Sequence, residues 1–353
     1  MTKILITGIC GFVGSTVAKQ FAAAGACEIH GMDNFSRPGS EQNRNEITKL
    51  CTRFHHGDLR MESDLANISN VDWVIDASAN PSVLAGVDGT TSARQVVEHN
   101  LHSTINMLEF CRARNCGFLL ISTSRVYSLP RLCDIPLQET EARYELNPLV
   151  QQPAGISSAG VNEQFPTTPP ISLYGSTKLA SEVLAFEYSG AYGFPTIVDR
   201  CGILAGAGQF GKADQGILSF WIHSYAGRHP LKYIGFQGTG FQTRDCLHPS
   251  DLADLMQMQM DAPPDELQAY NVSGGLDSAF SLKQLSDWCR SEFGQHHVAA
   301  SQESRTYDVP WLILDHQQAS SQWDWQPRIA RDAIWSEIAE FARARPDWLD
   351  IST

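Results

Sequence analysis

One short stretch limits what this chain can fold into more than any other. Gly8-Ile9-Cys10-Gly11-Phe12-Val13-Gly14 follows Met1 to Thr7, whose Ile-Leu-Ile run reads as a short buried strand, and it opens an Ala-rich helical stretch from Ser15 to Gly25. A strand, a tight glycine turn and a helix at that spacing predict a crossover built to take a pyrophosphate. A bulky side chain would keep the backbone away from the phosphates, while the helix N-terminus offers unpaired N–H groups and the positive end of its dipole. A glycine pattern alone is weak, and a mere tight turn is the competing reading; the strand before it and the helix after it supply the context the dinucleotide reading needs.

Further apolar segments at Glu28–Asp33, Phe54–Asp58, Trp73–Ala77, Phe118–Ser122 and Thr196–Arg200 alternate with helix-like stretches such as His99–Arg114 and Lys178–Tyr192. That alternation predicts an α/β fold with a doubly wound parallel (Rossmann) sheet over residues 1–200. Two stretches break the pattern, the proline-rich, polar insertion 129–172 and the glycine- and aromatic-rich 206–240. Long irregular segments of this kind carry function or disorder. From Asp251 onward short helices (Leu252–Met260, Leu282–Phe293, Ile329–Arg343) alternate with extended pieces. Residues 201–353 therefore read mainly as a smaller C-terminal α/β substrate-binding lobe, with some return of the chain to the first domain. The tryptophans near the end read as packing.

Composition narrows the partners. With 39 acidic and 26 basic residues the net charge is −13, and no dense Lys/Arg cluster offsets it, which disfavours nucleic acid and anionic membranes. No apolar run approaches the roughly 20 residues of a membrane span, and no signal-peptide pattern opens the sequence; the expectation is a soluble cytoplasmic protein. The nine cysteines form no CxxC pair and the eleven histidines are scattered, so no metal site is expected.

Three further features carry chemistry. Asp33 ends the second strand about 20 residues after the turn, where a carboxylate accepts from the adenosine ribose hydroxyls and repels a 2′-phosphate. NAD is thereby favoured over NADP, although Arg37 could attract that phosphate. Asp58, in His56-Gly57-Asp58-Leu59-Arg60, is placed to meet the adenine edge. Tyr174-Gly175-Ser176-Thr177-Lys178 puts a phenol and an ammonium on one helix face. The ammonium, with the positive nicotinamide, would favour phenolate and make Tyr174 a general base for a sugar hydroxyl. Ser122-Thr123-Ser124 at a strand end supplies hydroxyls to orient the same oxygen.

Together these residues resemble the extended short-chain dehydrogenase/reductase superfamily, within it the NAD-dependent nucleotide-sugar epimerases and dehydratases. The resemblance runs through Thr7–Gly14, Asp33–Arg37, Gly57–Arg60, Ile121–Tyr127, Tyr174–Lys178, Gly238–Asp251 and Tyr270–Gly275. A narrower likeness, to the CDP-paratose 2-epimerases (CDP-tyvelose epimerases), rests on Glu139–Tyr144, the insertion before Tyr174, and Gln209-Phe210 with Asp214-Gln215-Gly216. The superfamily implies a retained NAD that removes a hydride from a sugar carbon and returns it to the opposite face of a transient ketone. It implies Thr123, Tyr174 and Lys178 as the catalytic set. It implies cofactor contacts from Gly8, Cys10, Gly11, Phe12, Val13, Gly14, Asp33, Asn34, Ser36, Arg37, Asp58, Leu59, Ala77, Ser78, Ala79 and Asn100, besides Tyr174 and Lys178. Ser124, Gln209, Gln215 and Arg244 would meet a nucleotide-diphosphate sugar, Arg244 on its diphosphate, while Asp245 and Asp251 read as structural caps and salt-bridge partners. A homodimer through the helices around 99–114 and 178–192 is also implied.

The departures are equally specific. Ser124-Arg125 stand where the dehydratases carry Asp-Glu, which disfavours dehydration. Asp76-Ala77-Ser78-Ala79 replaces His-Leu-Ala-Ala, and Tyr127-Ser128 replaces Tyr-Gly. Pro310 stands where a second diphosphate arginine is expected, with Arg305 nearby but out of register, and Ile203 stands where galactose-type 4-epimerases carry a polar residue. A dehydrogenase or reductase that releases its cofactor, and a non-catalytic NAD-binding protein, are the competing readings; the latter would need none of the three catalytic residues.

Overall fold

A computed structural model describes the whole chain except Ala26, Asp88, Thr90 and Thr353. Its centre is a sheet of seven parallel strands: β1 (Thr2–Thr7), β2 (Cys27–Asp33), β3 (Arg53–His56), β4 (Trp73–Asp76), β5 (Gly117–Thr123), β6 (Thr196–Cys201) and β7 (Ala269–Val272). The spatial order is β7-β6-β5-β4-β1-β2-β3, the doubly wound Rossmann arrangement, whose crevice opens at the strands' carboxyl ends between β1 and β4. The reason β1 reads as an unbroken apolar run is visible in its packing. Ile4 and Ile6 face a layer holding Val17 and Phe21, Leu5 faces the opposite layer with Val74 and Leu108, and all three strand residues are fully buried. Burying each such side chain contributes roughly 1.5–3 kcal/mol.

The first helix, α1 (Phe12–Ala24), starts at the extended Gly11 and stops at Gly25, whose left-handed backbone (φ 62°) a glycine adopts without penalty. The stretch expected as one helix from His99 is instead a π-helical turn, Glu98–His102, leading into α2 (Ser103–Arg114). Within it the Thr104 hydroxyl donates to the Asn100 carbonyl at 2.8 Å. α3 (Leu173–Tyr192) begins a full turn earlier than apolar periodicity suggests, because Ser172 caps it through Oγ accepting from the Gly175 amide at 3.0 Å. β3 ends before Asp58, since Gly57 turns the chain with its amide on the Asp33 carbonyl.

The chain after β6 builds a second, smaller body. The strand Thr243–Leu247 runs parallel to Ile203–Leu204 and Trp311–Leu312 and antiparallel to Ala279–Ser281. Around it α4 (Ile217–Gly227) and the later helix Arg331–Ala344 bury Trp221, Ile222, Trp335 and Ile338. Between these the chain returns to the large sheet: α5 (Pro249–Asp261) packs on α1, with Gln20 donating to Asp254 at 2.9 Å, and β7 joins the sheet edge. Asp251 accepts from the Ile329 amide and Asp245 from the Gly275 amide, so both serve as backbone caps; neither forms an ion pair among the described residues.

The insertion 129–172 holds two small hairpins, Leu137–Glu139 with Tyr144–Leu146 and Ile156–Ser157 with Gly160–Val161. It is stitched to the smaller body by the Val161 amide on the Ile313 carbonyl and the Tyr144 amide on the Phe241 carbonyl. All nine cysteines are unpaired, and no helix among the described residues is long and apolar enough to cross a membrane.

Candidate active site

The crevice opens into a cleft of about 570 Å³ between the sheet and the smaller body, adjoined by one of about 340 Å³ over the ends of β2 and β3. The glycine turn forms its floor. At Gly8 the backbone has φ +61° and a Cβ would stand 3.0 Å from the Ala77 carbonyl; at Gly14 a Cβ would stand 2.4 Å from the Gly8 carbonyl. Side chains are excluded at both positions, and α1 begins with no side-chain cap on its free amides. This cradle fits a pyrophosphate.

Asp33 ties that cradle together, a role spacing alone does not show. Its Oδ2 accepts from the Cys10 amide at 2.9 Å and its Oδ1 from the Phe35 amide at 2.8 Å. Burial pushes its carboxyl above the usual range, and the two amides oppose this. Next to it Asn34 donates to Asp58 at 3.1 Å, and Arg60 grips both Asp58 oxygens at 2.9 and 2.6 Å. That hydrogen bonding holds the Asp58 carboxyl well below its ordinary range. Arg37 points to the opposite wall, with Nη1 on Gln215 Oε1 at 2.5 Å and Nη2 on the Phe210 carbonyl at 3.2 Å. Its guanidinium is thus already engaged across the cleft.

The carboxyl end of β5 and the first turn of α3 meet at Thr123 and Tyr174. The Tyr174 phenol is pushed up by burial, opposed by its hydrogen bond with Thr123 and by the Arg125 charge. Lys178, one turn on, is 2% exposed; burial pulls its ammonium down while Asp76 and Glu182 hold it up. Asp76 in turn accepts from the Thr7, Ser78 and Thr104 hydroxyls. Beneath this corner Glu182 binds Arg200 and accepts from the Ser122 hydroxyl.

The expected residues fall into two sets. Gly8, Gly11, Phe12, Val13, Asp33, Asn34, Ser36, Arg37, Ala77, Ser78, Ala79, Thr123, Ser124, Tyr174, Gln209, Gln215 and Arg244 all line the main cleft, and Asp58 and Leu59 line the adjoining one. Cys10, Gly14, Asn100 and Lys178 lie behind the lining. Asn100 clamps the loop after β4 instead, accepting from the Asn80 amide at 2.7 Å and donating to the Asn80 carbonyl at 3.1 Å.

Two arginines outside the expected set also line the cleft, Arg125 and Arg305. Arg305 seemed out of register because register cannot follow an irregular loop. The chain bends back at Tyr307 (φ +59°), and Arg305 reaches the Ala213 carbonyl at 3.0 Å. Arg244 faces the same space, bound to Asp308 Oδ1 at 3.1 Å and to the Val309 carbonyl at 2.7 Å. Among the described residues no group of three or more His, Cys, Asp or Glu could hold a metal ion.

A doubly wound sheet, a glycine cradle at its switch point and a Thr-Tyr-Lys corner at the cleft define a dinucleotide-binding enzyme fold of the short-chain dehydrogenase/reductase type. Residues 4–273 match the NAD dependent epimerase/dehydratase family, and the chain belongs to it. NAD is the cofactor that membership gives. The chain is 27% identical over 347 residues to the CDP-paratose 2-epimerase of Salmonella typhi, covering 94% of this chain and 97% of that protein. It is 25% identical over 369 residues to the dTDP-glucose 4,6-dehydratase of Salmonella typhimurium, covering 99% and 94%. In fold it is similar to the crystal structure of UDP-glucose 4-epimerase from Bifidobacterium longum in complex with NAD+ and UDP, with a TM-score of 0.79 at 18% identity, covering 98% of this chain and 100% of that one.

Proposed function

We propose that this protein is an NAD-dependent nucleotide-sugar epimerase. The observation that carries the reading is the meeting of Thr123 and Tyr174, with Lys178 one turn behind, between the glycine cradle and a cleft wall bearing Arg244 and Arg305. The cradle from Gly8 to Gly14 would hold the cofactor's pyrophosphate, Asp33 its ribose hydroxyls and Asp58 its adenine. When bound, that cofactor supplies an acceptor for a sugar hydride, which it also gives back, and a positive ring beside the phenol. Tyr174 takes the proton from the sugar hydroxyl as the ketone forms and returns it when the alcohol is restored. Thr123 orients the same oxygen, and Lys178 holds the nicotinamide ribose and favours the phenolate. Arg244 and Arg305 suit the two phosphates, a task for planar, permanently charged donors, with Ser124, Gln209 and Gln215 around the sugar.

Epimerisation is favoured over dehydration by what flanks Thr123. Eliminating water needs an acid for the leaving hydroxyl, and Ser124-Arg125 offer none; the carboxylates lining the main cleft are Asp33, Asp214 and Asp308. The likeness to CDP-paratose 2-epimerase supports a CDP-dideoxyhexose as substrate, inverted at C2. The protein works in the cytoplasm, where its unpaired cysteines stay reduced. It forms a homodimer through α2 and α3, where Val183 and Tyr192 are each 53% exposed. Incubation with CDP-, UDP- and dTDP-sugars, followed by NMR of the sugar protons, tests the activity: an epimer formed without net NADH supports it, and a 4-keto-6-deoxy product overturns it.

A further inference from the structure

Arg125 is fixed to the reacting corner at two points of its backbone. Its amide donates to Thr123 Oγ1 at 3.2 Å. Its carbonyl lies against Gly175, the residue after Tyr174, so closely that a Cβ there would come within 2.3 Å. The side chain lines the cleft and spends one N–H, Nη1, on the Tyr307 carbonyl at 3.2 Å. No carboxylate hydrogen-bonds it among the described residues. Arg244, by contrast, is paired with Asp308, Arg200 with Glu182 and Arg60 with Asp58. A guanidinium lining the same cleft as a proposed base, with its backbone tied to Thr123 and to the first turn of α3, is a charge placed to act on that base.

The groups around the corner show what that is. Thr123 from β5, Cys201 from β6 and Arg125 from the turn Ser124–Val126 act on the Tyr174 phenol. Lys178 faces Asp76 and Glu182, two carboxylates that offset its charge. Around Arg125 itself stand Arg244 and Arg305, which repel it, and Asp308 and Tyr174, which hold it charged. Burial brings its guanidinium down to about 10, still cationic at neutral pH.

We propose that Arg125 is the positioning cation of this site, the counter-charge to ionised Tyr174, sharing with Lys178 the stabilisation of the phenolate. The proposal rests on Tyr174 being the base. In the proton transfer the phenolate oxygen takes the hydroxyl proton and becomes neutral; Arg125 keeps its own protons throughout and acts only through its charge. Its place in the chain is where dehydratases carry an acid, so a cation here sets this chain's corner apart.

Tyrosinate absorbance of the NAD-loaded protein, titrated with pH and read against a matching Tyr174→Phe protein, reports the ionisation of that one phenol without needing a substrate. Arg125→Gln is expected to raise the midpoint by about one pH unit, a tenfold fall in the ionisation constant. Arg125→Lys is expected to leave it close to the wild-type value. Arg125→Met, which keeps the apolar stem, serves as a second neutral variant if the glutamine disturbs folding. An unmoved midpoint in the neutral variants, or an equal shift in the lysine variant, overturns the proposal. Absence of any Tyr174-dependent titration in wild type would overturn the base assignment itself, and an inactive protein with the expected titration would fault only the choice of sugar.

Discussion

Glu182 and Arg200 hold each other under the Thr123–Tyr174 corner, Arg200 Nε and Nη2 reaching Glu182 Oε2 at 3.0 and 2.7 Å with both side chains buried. The pair joins α3 to β6, and through it Ser122 of β5 and Tyr127, whose hydroxyl donates to Asn271 of β7 at 2.7 Å. Breaking it from one side leaves a charge in the interior. Glu182→Ala is expected to cost about 3–5 kcal/mol of stability, read as a lowered urea midpoint. Replacing both residues by leucine is expected to recover most of that loss. A single-variant loss below about 1 kcal/mol, the range of exposed pairs, would show that the pair is not desolvated as described.

Among the described residues Tyr174 has no hydrogen-bond partner that phenylalanine would abandon except Thr123. Tyr174→Phe is therefore expected to keep the fold and the bound NAD while turnover falls about 10²- to 10⁴-fold, the range for a lost general base. Turnover by NMR and cofactor content by mass spectrometry check the two halves separately. Loss of NAD from a folded variant would show that Tyr174 serves binding and not proton transfer.

Because Asp33 accepts from the Cys10 and Phe35 amides, it shapes the cradle before it meets any ribose. Asp33→Ala is expected to weaken NAD binding roughly 10- to 100-fold, since an ionic hydrogen bond contributes roughly 1.5–3 kcal/mol. Hydrogen exchange at the Cys10 amide should accelerate in parallel. Weakened binding with unchanged exchange would separate the ribose role from the loop role.

Asp199 in β6 is fully buried, with one oxygen accepting from Gln259 at 2.8 Å and the other unpartnered among the described residues. Burial pushes its carboxyl up to about 7. Between about pH 4 and 7 the folded chain therefore holds a proton the unfolded chain has released, so this group's contribution to stability falls as pH rises through that window. Asp245, raised to about 6 by burial, acts with the same sign. The difference between Asp199→Asn and wild type isolates Asp199: the variant should lose less stability from pH 5 to pH 8. An identical pH dependence would contradict the raised value.

What could be read from the sequence was what depends on local spacing. The glycine turn, Asp33 and the Tyr174/Lys178 pair each lie within one crossover or one helical turn, so strand and helix periods place them. Arg125 was visible as a departure but not as a cleft residue, because its backbone is placed by the long-range approach of Gly175 to its carbonyl. Arg305 enters the cleft through a bend at Tyr307 that no periodicity encodes. Asn100 was placed on the correct helical segment, yet the π-helical turn and the Asn80 loop take up its side chain. β7 escaped the strand reading because it is four residues long and follows α5, after the chain has already begun the smaller body. The long-range tie between Glu182 and Arg200 has no sequence signal at all.

The proposed function requires that one molecule of NAD stay with the chain and be regenerated in every turnover. It is tested most directly by purifying the protein without added cofactor, denaturing it, and quantifying the released small molecules by mass spectrometry against protein concentration. Near-stoichiometric NAD or NADH is the expected result. An empty chain that binds NAD only when it is supplied, and releases NADH as it oxidises a nucleotide sugar, would contradict the epimerase account and make the protein a dehydrogenase.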